Sequence, residues 1–457
     1  MKTTRVNLII KLVSIFALIV AVAGCGSSGS SNSVSSNRQY TGSWTLRASA
    51  SPGTYGEGGL FDVTYSSGQF VAVGVAFTVN TSYGIVTWSD IIQTSPDGIT
   101  WTSHVLPAGT SGTSIAESAG LNGVTYGNGQ FVAVGTSYNV NGNGSDTWSD
   151  VILTSPDGIT WTSRALPSDG TSGKDSDLTS GILEGVTYGN GQFVAVGGYW
   201  TTTSGANNTT INTWSDVILT SPDGITWTSA ALPSGTSGTS TNSSVTEAGL
   251  YGVTYGNGQF VAVGEYLITT SGANNSTTTT WSDVILTSPD GSTWTSRALP
   301  SGTSGTSANS SVTDTGLYGV TYGKGQFVAV GGSFNYNNNG SNTVILTSPD
   351  GITWTSPVLP SGMFGSGING AYLVNVIYGN GYFVAPGCYY TANNSSGTWN
   401  WTDVIVTSPD GITWTSAALP SGTSGTDSPA INQLDSVAYN SGTFVVVGNL
   451  GQILTSP

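Results

Sequence analysis

The stretch Val217-Ile218-Leu219-Thr220-Ser221-Pro222-Asp223-Gly224-Ile225-Thr226-Trp227-Thr228-Ser229 is written six times with small changes, the other copies beginning at Ile91, Val151, Val284, Val344 and Val404. Its middle is a turn. Pro222 presets φ for the second position of a type I turn, Asp223 suits the third, and Gly224 takes the left-handed position after it. β-Branched and aromatic residues lead in and out, which predicts a strand on each side. A second stretch always precedes the first, as at Leu250–Gly264, where Val253-Thr254-Tyr255 runs into Gly256-Asn257-Gly258 and then Phe260-Val261-Ala262-Val263-Gly264. Asn-Gly between two apolar runs is the strongest short hairpin signal. Each unit therefore reads as strand A, tight turn, strand B, long loop, strand C, tight turn, strand D, long loop. Strands B and C are apolar on both alternating faces, so both faces of each sheet should be buried.

The Tyr that ends strand A recurs at Tyr65, Tyr126, Tyr188, Tyr255, Tyr322, Tyr378 and Tyr439, at spacings of 61, 62, 67, 67, 56 and 61 residues. Periods this regular mean a repeat array and not several domains. The first and last units are incomplete in complementary ways. Gly42–Ala48 looks like a strand D with nothing before it, while Leu434–Tyr439, Thr443–Gly448 and Gln452–Pro457 supply strands A, B and C and stop where Asp-Gly would follow. The expected fold is all-β: a seven-bladed β-propeller of four-stranded antiparallel blades, spanning residues 37–457, with its last blade closed by the N-terminal strand. Closure removes the sheet edges that would invite aggregation.

The run Ser-Pro-Asp-Gly-x-Thr-Trp resembles the Asp-box, the bacterial neuraminidase repeat of sialidases and many other propellers, with one residue fewer between Asp and Gly than the usual pattern. The resemblance implies a structural role on the turn between the third and fourth strands. The matching residues are Asp97, Asp157, Asp223, Asp290, Asp350 and Asp410, expected to bond turn backbone, and Trp101, Trp161, Trp227, Trp294, Trp354 and Trp414, expected to cover the turn.

Residues 1–25 read as a targeting segment, with Lys2, Arg5 and Lys11 ahead of or within an apolar run over Leu12–Ala23. Val22-Ala23-Gly24-Cys25 resembles the lipobox of bacterial lipoproteins, which implies cleavage and a lipidated Cys25, and hence a cell-envelope protein. Gly26 at the next position implies the outer membrane or cell surface rather than the inner membrane. Residues 26–36 are rich in Gly, Ser and Asn and read as a flexible tether. Only 7% of the chain is charged, and without residues 1–25 it carries six basic against 24 acidic residues, a net −18. That disfavours nucleic acid, which is bound by Lys and Arg neutralising phosphates. Cys388 would then be the only cysteine left, beginning a loop and serving as a spare small residue, with no disulfide available. A monomer is expected.

The two tight turns fall on one face of a propeller and the long, variable loops on the other, and variable loops on a rigid scaffold are the default place for function. A Trp-Ser-Asp element closes the B–C loops, at Trp88 and Asp90, Trp148 and Asp150, Trp214 and Asp216, and Trp281 and Asp283; blade six has Trp401-Thr402-Asp403, and blade five has Asn342-Thr343 instead. Trp and Asp two apart point to one side of an extended strand. Ring plus carboxylate could grip a sugar once per blade. Alternatively, Trp packs against the next blade and Asp fastens the loop. Spread around the ring, these carboxylates are too far apart to share one metal ion. No cofactor is expected beyond a weakly signalled loop calcium in Asn139–Asp150.

No catalytic set is evident. The only histidine, His104, is one variant of a strand-D position filled elsewhere by Arg164, Ala230 or Arg297. Sialidase chemistry, as the resemblance implies it, needs three arginines converging on a substrate carboxylate. Of Arg38, Arg47, Arg164 and Arg297, three share that outer position. The glutamates, Glu184 and Glu265 among them, read as lying in or beside loops. The expectation is a non-catalytic envelope lipoprotein that binds a surface glycan or a protein partner. The alternatives are a sialidase-type exo-glycosidase and an envelope assembly factor.

Overall fold

The computed structural model describes residues 40–47, 58–80, 85–106, 120–140, 146–167, 179–204, 210–233, 239–240, 243–271, 277–300, 313–335, 340–360, 363–364, 370–393, 398–421, 423 and 433–457. Cys25, the targeting segment and the tether lie outside these. Seven antiparallel sheets form a seven-bladed propeller. Blade three shows the plan: strand A is Thr179–Gly189, B is Gln192–Ser204, C is Thr210–Ser221 and D is Thr228–Ser229. Blade four adds a two-residue strand, Thr239–Ser240, before its strand A at Ser243–Gly256. In blade six strand A is split into Gly370–Leu373 and Ile377–Gly379. Strand D is short everywhere, and in blade five it shrinks to the backbone bridge between Thr347 and Thr355.

The ring closes as the incomplete termini predict. Thr45–Arg47 pairs antiparallel with Ile453–Ser456, setting Leu46 opposite Leu454. Trp44 is buried with Phe444, Val446 and Leu454. Tyr40 donates its hydroxyl to the carbonyl of Pro457 at 2.6 Å and sets its ring edge-on to Tyr382.

The core is divided among the seams between blades. The seam of blades three and four, for example, joins Val194, Val196 and Ile218 to Leu250, Phe260, Ala262, Leu286 and Trp294. Both faces of strand B are therefore fully buried: Phe260, Val261, Ala262 and Val263 expose nothing. Inner strands pack so closely that a Cβ added at Gly189 would fall 2.1 Å from the ring of Tyr255 in the next blade.

Two turn types do the work on one face. In all seven A–B turns both central residues have positive φ, as at Asn257 (47°) and Gly258 (80°). This is the arrangement that matches strand twist in a two-residue hairpin. In the C–D turns the Asp223 carboxylate accepts the amides of Ile225 and Thr226 at 2.9 and 2.8 Å, and Ser221 donates its hydroxyl to it at 3.0 Å. Trp227 donates its indole N–H to the carbonyl of Gly224 at 2.9 Å. Asp97, Asp157, Asp290, Asp350 and Asp410 accept the corresponding pair of amides. The indoles of Trp101, Trp161, Trp294, Trp354 and Trp414 make the corresponding bond. These turns are latched blade to blade. Gln69, Gln130, Gln192, Gln259 and Gln326, each at the start of a strand B, donate their amides to the carbonyls of Asp157, Asp223, Asp290, Asp350 and Asp410 in the following blade. In blade six Tyr382 stands in the glutamine's place and meets Tyr40.

Candidate functional site

At the opposite end of the core, where strands leave the repeating apolar run, the blades carry a layer of polar side chains. It is set by register. The Asp at the start of strand C's repeating apolar run pairs with the residue that follows the first Gly of strand B: Asp90 with Val75, Asp150 with Thr136, Asp216 with Gly198, Asp283 with Glu265, and Asp403 with Cys388. All five aspartates are buried. Each for which a neighbour is defined turns toward the next blade. A Cβ added at Gly181 of blade three would fall 2.7 Å from either carboxylate oxygen of Asp150. Asp216 lies near Tyr266 of blade four, and Asp403 near Asp435 and Gln452 of blade seven. In blade five Thr343 holds this place and donates to the carbonyl of Ala371 in blade six at 3.3 Å.

Both carboxylate oxygens of Asp90 and Asp216, and Oδ1 of Asp150, are buried without a hydrogen-bond partner. Burial pushes Asp90 and Asp216 well above the usual carboxylate range. It raises Asp150 to about 8, with the nearby charge of Glu184 adding to the effect. Asp403 is likewise raised by burial to about 8. Of the tryptophans, Trp401 is half-buried beside Tyr372, ring centres 6.3 Å apart. The side chains of Trp88, Trp148, Trp214 and Trp281 lie outside the described residues.

Strand A adds the second component. Its first core position is Leu in every blade and its fourth is Val in every blade, but the position after the Leu is Phe61, Asn122, Glu184, Tyr251, Tyr318, Val374 and Asp435 in turn. In six blades a β-bulge falls at this residue. A bulge leaves one side chain out of the ladder and re-aims it. All seven are half-buried, in contrast to the fully buried Leu before them. Two adjacent ones meet, Tyr251 and Tyr318, with ring centres 5.4 Å apart, and Asn122 reaches the next blade by donating to the carbonyl of Leu183, the residue before Glu184, at 2.9 Å. Sequence reading passed over this set, although its signal is in the sequence: it is the position of strand A that fails to repeat.

Two glutamates read as loop residues belong to this layer. Glu184 is in strand A of blade three and Glu265 in strand B of blade four. A strand position explains why burial raises Glu184 to about 7. Glu265 is buried and accepts the hydroxyl of Tyr251 at 2.9 Å. Burial first, and then the neighbouring carboxylate, push Tyr251 well above its ordinary range. Cys388 is also a strand residue and not the start of a loop. Buried in strand B of blade six, its thiol is pushed up by burial and by Asp403 and Asp435.

One residue further along strand A the chemistry reverses. Asp62 accepts the Val124 amide at 2.7 Å, the Val63 amide at 2.8 Å and the Ser436 hydroxyl at 2.6 Å. Burial still raises it, to about 6, but its oxygens are satisfied. It ties blades one, two and seven together.

The layer thus holds eight carboxyl groups, those of Asp90, Asp150, Glu184, Asp216, Glu265, Asp283, Asp403 and Asp435. The basic side chains among the described residues stand elsewhere. Arg47, Arg164, Arg297 and His104 each bond a strand-C threonine from the outer strand, all at 2.7 Å. Lys324 reaches the Pro409 carbonyl on the turn face. Among the described residues no three His, Cys, Asp or Glu side chains form a group able to hold a metal ion, and no helix is long and apolar enough to cross a membrane.

No protein-family model matches the sequence, and no curated protein matches it. Solved structures with a similar chain path include the phage phi92 endosialidase, at 12% identity and a TM-score of 0.43, covering 91% of this chain and 68% of that one. A Trypanosoma rangeli sialidase is similar at 12% identity and a TM-score of 0.40, covering 90% of this chain and 58% of that one. A Bombyx mori GH32 beta-fructofuranosidase is similar at 11% identity and 0.35, covering 90% and 92%. At these values the likeness carries nothing about activity.

Proposed function

We propose that this chain is a non-catalytic propeller of the cell envelope that binds a surface glycan at its long-loop face. The observation that supports this most is the non-repeating ring at the strand-A bulge. Where a fold dictates Leu and Val seven times out of seven, six residue types at one half-buried position are not dictated by folding, and two of them, Glu184 and Asp435, lie within electrostatic reach of the buried strand-C acids Asp150 and Asp403. Hydroxyl, amide and carboxyl groups beside tyrosine rings suit the hydroxyls and C–H faces of sugars. On this reading the Ser-Pro-Asp-Gly turns are variant Asp-boxes with a structural role, and Cys25 carries the lipid that holds the propeller at the outer membrane or cell surface. Cys25→Ser should move the chain from the membrane fraction to the soluble one.

A glycosidase is the second reading. It draws on the Tyr251–Glu265 hydrogen bond and on carboxyls raised toward neutrality, which is where a general acid works best. The sialidase type is disfavoured, because a carboxylated sugar would meet a layer of acids while the described arginines face outward. A glycan array probed with the full mature chain, together with a fluorogenic sialoside assay, separates the readings. Retention of glycans without sugar release is expected. Turnover would overturn the non-catalytic reading, and retention of no glycan at all would overturn the binding one.

A further inference from the structure

Between blades two and five acids and phenol rings gather. The Asp150 carboxylate turns onto Gly181 in the strand that carries Glu184, within electrostatic reach of that glutamate, while Tyr251 of the next blade donates to Glu265 at 2.9 Å and sets its ring 5.4 Å from that of Tyr318. The arc mixes three carboxyl groups with two phenol rings. Asp150 is 6% exposed and its Oδ1 has no partner. Among the described residues no donor is paired with Glu184 and no Lys, Arg or His reaches the arc. Buried carboxylates are ordinarily paired, because an uncompensated buried charge is among the more destabilising features a fold can carry.

We propose that this arc is a binding site for an organic ammonium group, and that the glycan taken by this face is recognised through a free amino group on its sugar; this rests on the glycan-binding reading above. An ammonium supplies what the arc lacks: N–H donors for Asp150 and Glu184, and a positive charge to sit over the tyrosine faces. Glu184, Tyr251 and Tyr318 keep part of their surface exposed, so the arc is reachable from solvent. A bare metal ion suits it poorly, since carboxylates here are interleaved with rings and no metal-holding group forms among the described residues. A sugar carboxylate or phosphate would be repelled.

The test uses the full mature chain and two probes, a glucosamine oligomer and the same oligomer fully N-acetylated, with binding followed by calorimetry at two salt concentrations. The amine form should bind at least ~10-fold more tightly, since a charged pair in a desolvated site contributes a factor of this order or more, and higher salt should weaken it. Glu184→Gln, which keeps shape, and Tyr318→Leu should each weaken the amine form ~10-fold, whereas Gln192→Ala on the turn face should not. Thermal melting checks that each variant is folded; if Tyr318→Leu is not, Glu184→Gln alone decides. Equal binding of the two oligomers, or no effect of Glu184→Gln, overturns the ammonium site while leaving glycan binding standing. A lysine-rich peptide that binds through Glu184 when neither oligomer does overturns the amino-sugar assignment and the glycan reading together.

Discussion

Asp216 and Asp223 are seven residues apart, one within strand C of blade three and the other on the turn that follows it, in opposite surroundings. Asp223, on the turn, accepts two backbone amides and a serine hydroxyl, and those bonds, the Thr226 amide first, hold it below the usual carboxylate range. Asp216, 1% exposed, has no partner on either oxygen, and burial pushes it well above that range. The same contrast is written into the other blades with Asp97 against Asp90 and Asp157 against Asp150. An acid on the turn stabilises the fold. An acid in the layer destabilises it at neutral pH, because nothing there favours its charged form. Blade five shows that the fold does not require it, since Thr343 fills the place and finds a carbonyl. One end of the ring is thus built for stability, and the other holds groups that stability alone would not select.

The largest expected effect comes from removing charge at the destabilised end. Asp150 is raised to about 8 and Glu184 to about 7. Raised carboxyls hold their protons more tightly folded than unfolded, so their contribution is full below about pH 4 and is lost as pH rises through about 8. Asp150→Asn with Glu184→Gln should therefore change stability little at pH 4 and raise it by several kcal/mol at pH 8.5. Denaturant titrations across that range test it, and a parallel pH dependence in both proteins would refute the contrast. The turn aspartates work on the other limb. Their lowered values contribute stability above about pH 4 that is lost as pH falls further. Asp223→Ala should cost about 1–2 kcal/mol at pH 7, since it strands two backbone amides, and Asp223→Asn should recover part of this by keeping an acceptor.

How much of this was legible follows the same division. The turn end could be read closely, because Pro, Asp, Gly and Trp act there through local backbone chemistry that each copy states in full. Closure was legible too, since the lone strand D near one end of the chain and the three strands A, B and C near the other are both visible and together make one blade. The layer was not. Asp216 and Trp214 could be marked as a recurring pair, but whether the carboxylate faces solvent or the neighbouring blade depends on where a strand 60 residues away packs, and no local rule carries that. Glu265 was misplaced into a loop because strand B runs past the repeating core that ends at Gly264, and Glu184 because a charged residue between the recurring Leu183 and Val186 looks like a break in the strand and is in fact its bulge. The bulge position was hidden for a related reason. A search for what repeats reads past the residue that does not.

The smallest effect tests whether the turn end is as uniform as its sequence. Gln192 donates its amide to the Asp290 carbonyl across a seam whose apolar residues are already fully buried, so the latch adds one partly exposed hydrogen bond to a packed interface. Gln192→Ala should cost about 1 kcal/mol. The seam between blades six and seven uses Tyr382 against Tyr40 in place of this latch, so Tyr382→Gln should cost stability by giving up that ring contact. If Tyr382→Gln proves as stable as the parent while Gln192→Ala is silent, the seams are held by their apolar cores alone and the latches contribute nothing. If both lose stability, with Tyr382→Gln losing more because a ring contact is given up, the closing seam depends on side chains that the repeating seams do without.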